Sequence, residues 1–181
     1  MALYKLITPK AFVELLHKET ARRVIPVDST WYLPNLKRDG KQEFLDRERI
    51  ANAVYFDIDE VKDSQSPYPH MAPDLATFNR SMSQLGIRKD DILVVYDTIG
   101  NFSAPRCAWT LTTFGHKPVY LLNNYVLYKQ QGYPVDTSKK TSYTPYEATS
   151  YVSDVDLRPE EVVTYEEMLN LVKKGELSKN Y

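Results

Sequence analysis

Cysteine is nearly missing from this chain: Cys107 stands alone among 181 residues. No internal disulfide can form, and no cysteine cluster can hold a metal. A single thiol in an otherwise ordinary composition suits a reducing compartment. Glycine is scarce as well, with six residues, and no Gly-rich phosphate loop occurs. The three histidines, His17, His70 and His116, share no ligand spacing with one another or with Cys107. No excess of one charge exists: 23 basic side chains face 24 acidic ones, and neither half of the chain departs from that balance. A nucleic-acid binder is disfavoured on that ground. No apolar run approaches the ~18–20 residues of a membrane span, and the N-terminus lacks the apolar core of a secretory signal. Lys5, Lys10, Lys18, Arg22 and Arg23 hint at a mitochondrial address, but Glu14 and Glu19 interrupt the pattern and the segment reads as folded. What is present, 43% hydrophobic and 26% charged residues, is enough for one well-buried domain of roughly 100–150 residues with some chain to spare.

The apolar spacing alternates between strand and helix. Thr8 caps a helix with Pro9 at its first position, and Phe12, Leu15 and Leu16 form its apolar face. Strands are expected at 24–28, 53–58, 92–96 and 119–122, with loops at 30–44 and 64–73. Helices are expected at 75–85, from 104 to about 114, and at 125–131. The run Ile92-Leu93-Val94-Val95-Tyr96 is apolar on both faces, as a central strand of a parallel sheet would be. Strands alternating with helices predict an α/β fold with helices on both faces of the sheet.

From 137 to 161 Ser, Thr, Tyr and Lys dominate and the apolar period fades, which reads as a linker. Beyond it Thr164 opens a helix that repeats the first: Thr8, Phe12, Leu15, Leu16 and Lys18 fall on Thr164, Met168, Leu171, Val172 and Lys174. The expected organisation is a domain at 1–136, a linker at 137–161, and the start of a second, related domain at 162–181.

Seven pieces together carry a family resemblance. They are Val27-Asp-Ser-Thr-Trp-Tyr-Leu-Pro34, Phe44 with Ala53-Val-Tyr-Phe-Asp-Ile58, Ser66-Pro-Tyr-Pro-His-Met-Ala-Pro73, Val94-Val-Tyr-Asp97, Ser103-Ala-Pro-Arg106, Phe114-Gly-His116 and Gly132-Tyr-Pro-Val135. In this order and spacing the chain resembles the N-terminal domain of the eukaryotic two-domain thiosulfate and 3-mercaptopyruvate sulfurtransferases, which are built from two rhodanese domains. The resemblance implies a rhodanese-like α/β fold: a central, mostly parallel five-stranded sheet with helices on both faces. It implies a sulfur relay, in which a cysteine of the second domain holds sulfane sulfur as a persulfide and passes it to a thiol, cyanide or a protein. Some eukaryotic relatives feed tRNA thiolation. It also implies that the partners are the second rhodanese domain of the same chain and a small sulfur donor. Neither cofactor, metal, nucleic acid nor membrane is called for, and the expected compartment is the cytoplasm or the mitochondrion. Two signatures depart from the family: Arg49-Ile-Ala-Asn-Ala53 replaces His-Ile-Pro-Gly-Ala, and Asn124 stands where glycine is usual, which points to a turn that asparagine still adopts.

A persulfide site needs a thiolate in a loop whose backbone N–H groups converge on it, beside a helix N-terminus. At that position, after the 92–96 strand, this chain has Asp97. A carboxylate can satisfy such a ring of amides but cannot carry sulfur. Asp97 is thus either a loop acid that stabilises the turn or the remnant of a cysteine site. Cys107 falls on one helix face with Ala104, Leu111 and Phe114, so its thiol is expected in the core and inert. His70 is either a turn-packing residue or, by resemblance, a cleft residue that hydrogen-bonds a donor carboxylate. Trp31 and Phe102 match positions near the family's cleft, but also read as ordinary core or interdomain aromatics. His116 is expected to cap a helix end, His17 to face solvent, and Arg106 to form an ion pair. The segment alone is expected to be inactive. A rhodanese-like docking module without enzymatic activity is the alternative, and a phosphatase on the same scaffold is disfavoured because it too needs a cysteine at position 97. The repeat offset gives one check: sequencing the parent transcript should reveal a cysteine directly after a buried strand near position ~253, and its absence would remove the enzyme reading.

Overall fold

In the computed structural model, residues 4–157 and 162–175 are described. Five parallel strands, β1 (Lys5–Ile7), β2 (Val24–Asp28), β3 (Val54–Tyr55), β4 (Ile92–Tyr96) and β5 (Val119–Leu122), form a sheet in the order β1-β5-β4-β2-β3. Strand β4 lies in the middle because all five of its residues are apolar and both faces of the sheet are covered. Leu93 and Val95 face one side, packed with Phe78, Met82, Cys107, Leu111 and Phe114. Val94 and Tyr96 face the other, packed with Phe12, Phe44, Tyr125 and Tyr128.

The helices are α1 (Pro9–Lys18), α2 (Gly40–Asp46), α3 (Leu75–Gln84), α4 (Ala104–Thr113), α5 (Tyr125–Gln130) and α6 (Tyr165–Lys174). Asp39, Asp74 and Asn124 cap α2, α3 and α5 by accepting from the backbone N–H three residues on. Helices α1 and α6 share a threonine cap and a ten-residue length, as the repeat anticipated. Three local expectations differ from the structure. The 30–44 loop contains a short 3-10 turn (Pro34–Leu36) and runs into α2, which buries Phe44 through a single apolar turn and so shows no period. The 53–58 strand shrinks to two residues. Asn124 is extended, with φ −136°, and serves as a helix cap rather than a glycine-like turn.

The segment after Asp136 lies against the domain. Tyr143 accepts from the Tyr55 N–H, Thr144 donates to the Leu85 carbonyl, Thr149 N–H donates to Ser83, and the buried Tyr151 meets His116. Gly86, at φ +71°, lets this strap pass: a β-carbon there would lie 2.5 Å from the Glu147 carbonyl. His116 does close the end of α4, its N–H donating to the Leu111 carbonyl at 3.0 Å, but its buried ring is a pin: one ring nitrogen meets Tyr151 Oη and the other the Asp91 carbonyl, each at 2.9 Å. Burial lowers its pKa.

Where β2 ends, Asp28 is buried beneath the loop that follows β4. Burial pushes its carboxyl up to about 6, partly offset by the Thr30 hydroxyl and N–H that donate to Oδ1 at 2.6 and 2.9 Å. The folded chain therefore keeps a proton that the unfolded chain, with a pKa near ~4, has already released. Its contribution is full below pH ~4 and is lost as pH rises through about 6. Asp28→Asn should flatten this descent by up to about 3 kcal/mol. Urea unfolding of both proteins across that range checks it, and parallel pH profiles would contradict it.

Candidate functional site

The loop from Asp97 to Ser103 joins the C-terminal end of β4 to α4. Gly100 and Asn101 take positive φ values of 108° and 70°, and this turns successive amides inward. The Asp97 carboxylate fills the space they enclose. Its Oδ1 accepts from the N–H groups of Ile99, Gly100 and Asn101 at 3.0, 2.8 and 2.9 Å. Its Oδ2 accepts from Ser103 and Ala104, both at 2.9 Å. Asp97 is fully buried, and its last two donors are the cap and first residue of α4, where the helix dipole favours an anion. All five converging donors are thus occupied by the protein's own carboxylate.

The same helix start holds the cleft residues. Trp31 N–H donates to Ser103 Oγ at 3.2 Å. The Trp31 indole lies edge-on to His70, with ring centroids 4.9 Å apart, and stacks on Phe102 at 6.3 Å. Sequence reasoning singled out Trp31, His70 and Phe102 separately, and the fold brings them together beside the Asp97 loop. Phe102 is half-exposed at 52%. Sequence reasoning missed Asp59, which joins two of them: Oδ2 accepts from the Trp31 indole N–H at 2.8 Å, and Oδ1 meets His70 Nε2 at 2.7 Å. With Nε2 engaged, Nδ1 is the ring's remaining polar pole. A cavity of about 520 Å³ is lined by Trp31, Tyr32, Asp59 and His70, with Arg38 and Lys41 on its wall. Nothing in the sequence marks Asp59 apart from Asp57 and Glu60 beside it; only the fold does.

Cys107, one turn further along α4, turns into the core and away from this cluster. It is fully buried on α4, and burial drives its thiol well above the ordinary range, so at neutral pH no thiolate forms. Arg106, expected in an ion pair, instead donates from Nη2 to the His70 carbonyl at 2.5 Å. His17 is exposed. Among the described residues no group of His, Cys, Asp and Glu is arranged to hold a metal ion, and no helix is long and apolar enough to cross a membrane.

Comparison with known proteins agrees with the sheet. The family model described as rhodanese-like domain matches residues 13–125. The chain is 53% identical over 181 residues to the thiosulfate sulfurtransferase TUM1 of Saccharomyces cerevisiae, covering all of this chain and 60% of that protein. The crystal structure of that Tum1 protein superposes with a TM-score of 0.96, again over 100% of this chain and 60% of the other. A probable 3-mercaptopyruvate sulfurtransferase of Schizosaccharomyces pombe is 38% identical over 141 residues, 76% of this chain and 47% of that protein. A sulfur transferase subunit of yeast mitochondrial complex I aligns with a TM-score of 0.80 at 34% identity, over 97% of this chain and 61% of that one. This chain therefore spans about half to 60% of the length of these relatives, and it belongs to the rhodanese-like domain family, among relatives that are thiosulfate and 3-mercaptopyruvate sulfurtransferases.

Proposed function

We propose that this chain is the non-catalytic half of a two-domain sulfurtransferase. The observation that carries the reading is the Asp97 carboxylate, which takes all five amide donors that would otherwise stabilise a persulfide anion. Sulfur then has to be carried by a cysteine of the second rhodanese domain. Its thiolate attacks the sulfane sulfur of thiosulfate; the S–S bond breaks, sulfite leaves and a persulfide remains. With 3-mercaptopyruvate the C–S bond breaks, the thiol proton ends on carbon and pyruvate leaves. Cyanide, a thiol or a protein thiolate then removes the outer sulfur and regenerates the thiolate. Thiosulfate and 3-mercaptopyruvate both appear in the names of the relatives.

In this reading the cleft residues form one wall of the active site. His70, fixed by Asp59, lines the place of the donor, and Trp31 and Phe102 exclude water around it. The half-exposed Ile99, Phe102 and Leu33 supply the apolar surface on which the second domain packs. The same surface favours the second reading, a rhodanese-like module that docks a protein without catalysis. The compartment is the cytoplasm or the mitochondrion; kinship to a mitochondrial complex I subunit supports the latter.

A thiosulfate-to-cyanide assay on the parent protein separates the two readings: turnover supports the enzyme and its absence supports the docking module. The 181-residue chain itself should show no turnover and no stable extra sulfur by mass spectrometry after incubation with donor. A sulfur atom found on Cys107 would overturn the proposal. In Asp97→Cys, the cradle should hold the new thiol as a thiolate, with a pKa at least ~1 unit below the ordinary ~8.5. Ultraviolet thiolate titration against the unaltered chain reads this, and an ordinary or raised pKa would mean that the amides do not converge as described.

A further inference from the structure

His70 has a backbone conformation uncommon for a residue other than glycine. Its φ is +58°, the left-handed region that crowds a β-carbon against the chain. It lies between Pro69 and Met71 at a turn of the 64–73 loop, outside any helix or strand. A contact from outside the turn adds to what holds it.

The holding group is on α4. Arg106 Nη2 donates to the His70 carbonyl at 2.5 Å, across 36 residues of sequence. The guanidinium is half-buried and rests on the Trp109 ring at 5.1 Å. Burial lowers its pKa, and no carboxylate offsets the loss of water among the described residues. A half-buried cation kept without a counter-ion is costly unless its hydrogen bond is needed. Here the bond holds the backbone of the residue whose ring meets Asp59.

The position of Arg106 gives that bond its meaning. It is in the first turn of α4, the helix whose Ser103 and Ala104 amides bind Asp97 and whose Ser103 hydroxyl receives Trp31. One rigid turn therefore registers the cradle, the indole and the imidazole against one another. Lysine would not serve equally, because its flexible ammonium neither stacks on Trp109 nor presents a planar fork.

We infer that Arg106 is the positioning residue of the cleft: it locks the His70 backbone so that Nε2 meets Asp59 and Nδ1 is left for a ligand. Calling His70 a cleft residue rests on the proposed function, but the geometric role of Arg106 does not. It needs no contact with the sulfur donor.

The test is ring-nitrogen NMR on the 181-residue chain. In the unaltered protein His70 should show a single tautomer, with the proton on Nε2. In Arg106→Met the two ring-nitrogen shifts should converge as the tautomers mix, and the Trp31 indole proton should move toward its solvent value. Arg106→Gln, which keeps a donor, should restore most of the separation. The Gly100 and Ser103 amide signals, as reporters of the cradle, should stay in place in both. Retention of the single tautomer in Arg106→Met would overturn the inference. A second measurement needs no variant: the Nη protons of Arg106 should rotate more slowly than those of the exposed Arg47, and equal rates would overturn it too. Neither readout involves sulfur transfer, so a failed tautomer test strikes Arg106 alone, whereas a failed turnover assay strikes the functional reading and leaves Arg106 untouched.

Discussion

Five amides pointing at one carboxylate organise the candidate site of this molecule. Backbone donors buried without partners cost about 1–3 kcal/mol each, so a loop that aims several of them at one point is unstable when empty. Here Asp97 supplies the missing anion from within the chain. The loop can then keep two residues at positive φ, and α4 can begin where its dipole faces negative charge. The placement of Trp31 and of His70 follows, because both are held by the start of that same helix.

Around this point the fold provides stiffness. Strand β4 is buried on both faces and paired on both edges, so the loop that leaves it starts from a fixed place. The segment after Asp136 adds a belt that fastens to Leu85, Ser83, Asn79 and His116. Cys107 is part of this frame and not of the chemistry: it fills the α4 side of the core, where burial keeps its thiol protonated. In the proposed function, a chain with a pre-filled anion cradle and a buried thiol shapes a cleft whose reactive sulfur comes from a second domain.

The parts legible in the sequence are those governed by period and capping. Apolar runs on both faces marked β4 and β5, and Thr8, Asp74 and Thr164 marked helix starts because each precedes an amphipathic turn. Helix α2 escaped notice because it is short and buries mainly Phe44. The belt escaped because it is held by scattered side-chain-to-backbone bonds and by single tyrosines, not by a repeating stripe. Of the site, the order of motifs pointed to Asp97, Trp31, His70 and Phe102, whereas Asp59 and Arg106 act through contacts between residues distant in sequence. Such contacts leave no local pattern.

The claim that the carboxylate holds the loop together is tested most directly by the unfolding free energy of Asp97→Ala, measured with and without added formate. The expected loss is about 3–5 kcal/mol, because the buried Ser103 and Ala104 donors lose their acceptor while water reaches the part-buried amides of Ile99, Gly100 and Asn101, with partial recovery when formate enters the vacated cradle. A loss below about 1 kcal/mol, with no effect of formate, would contradict it.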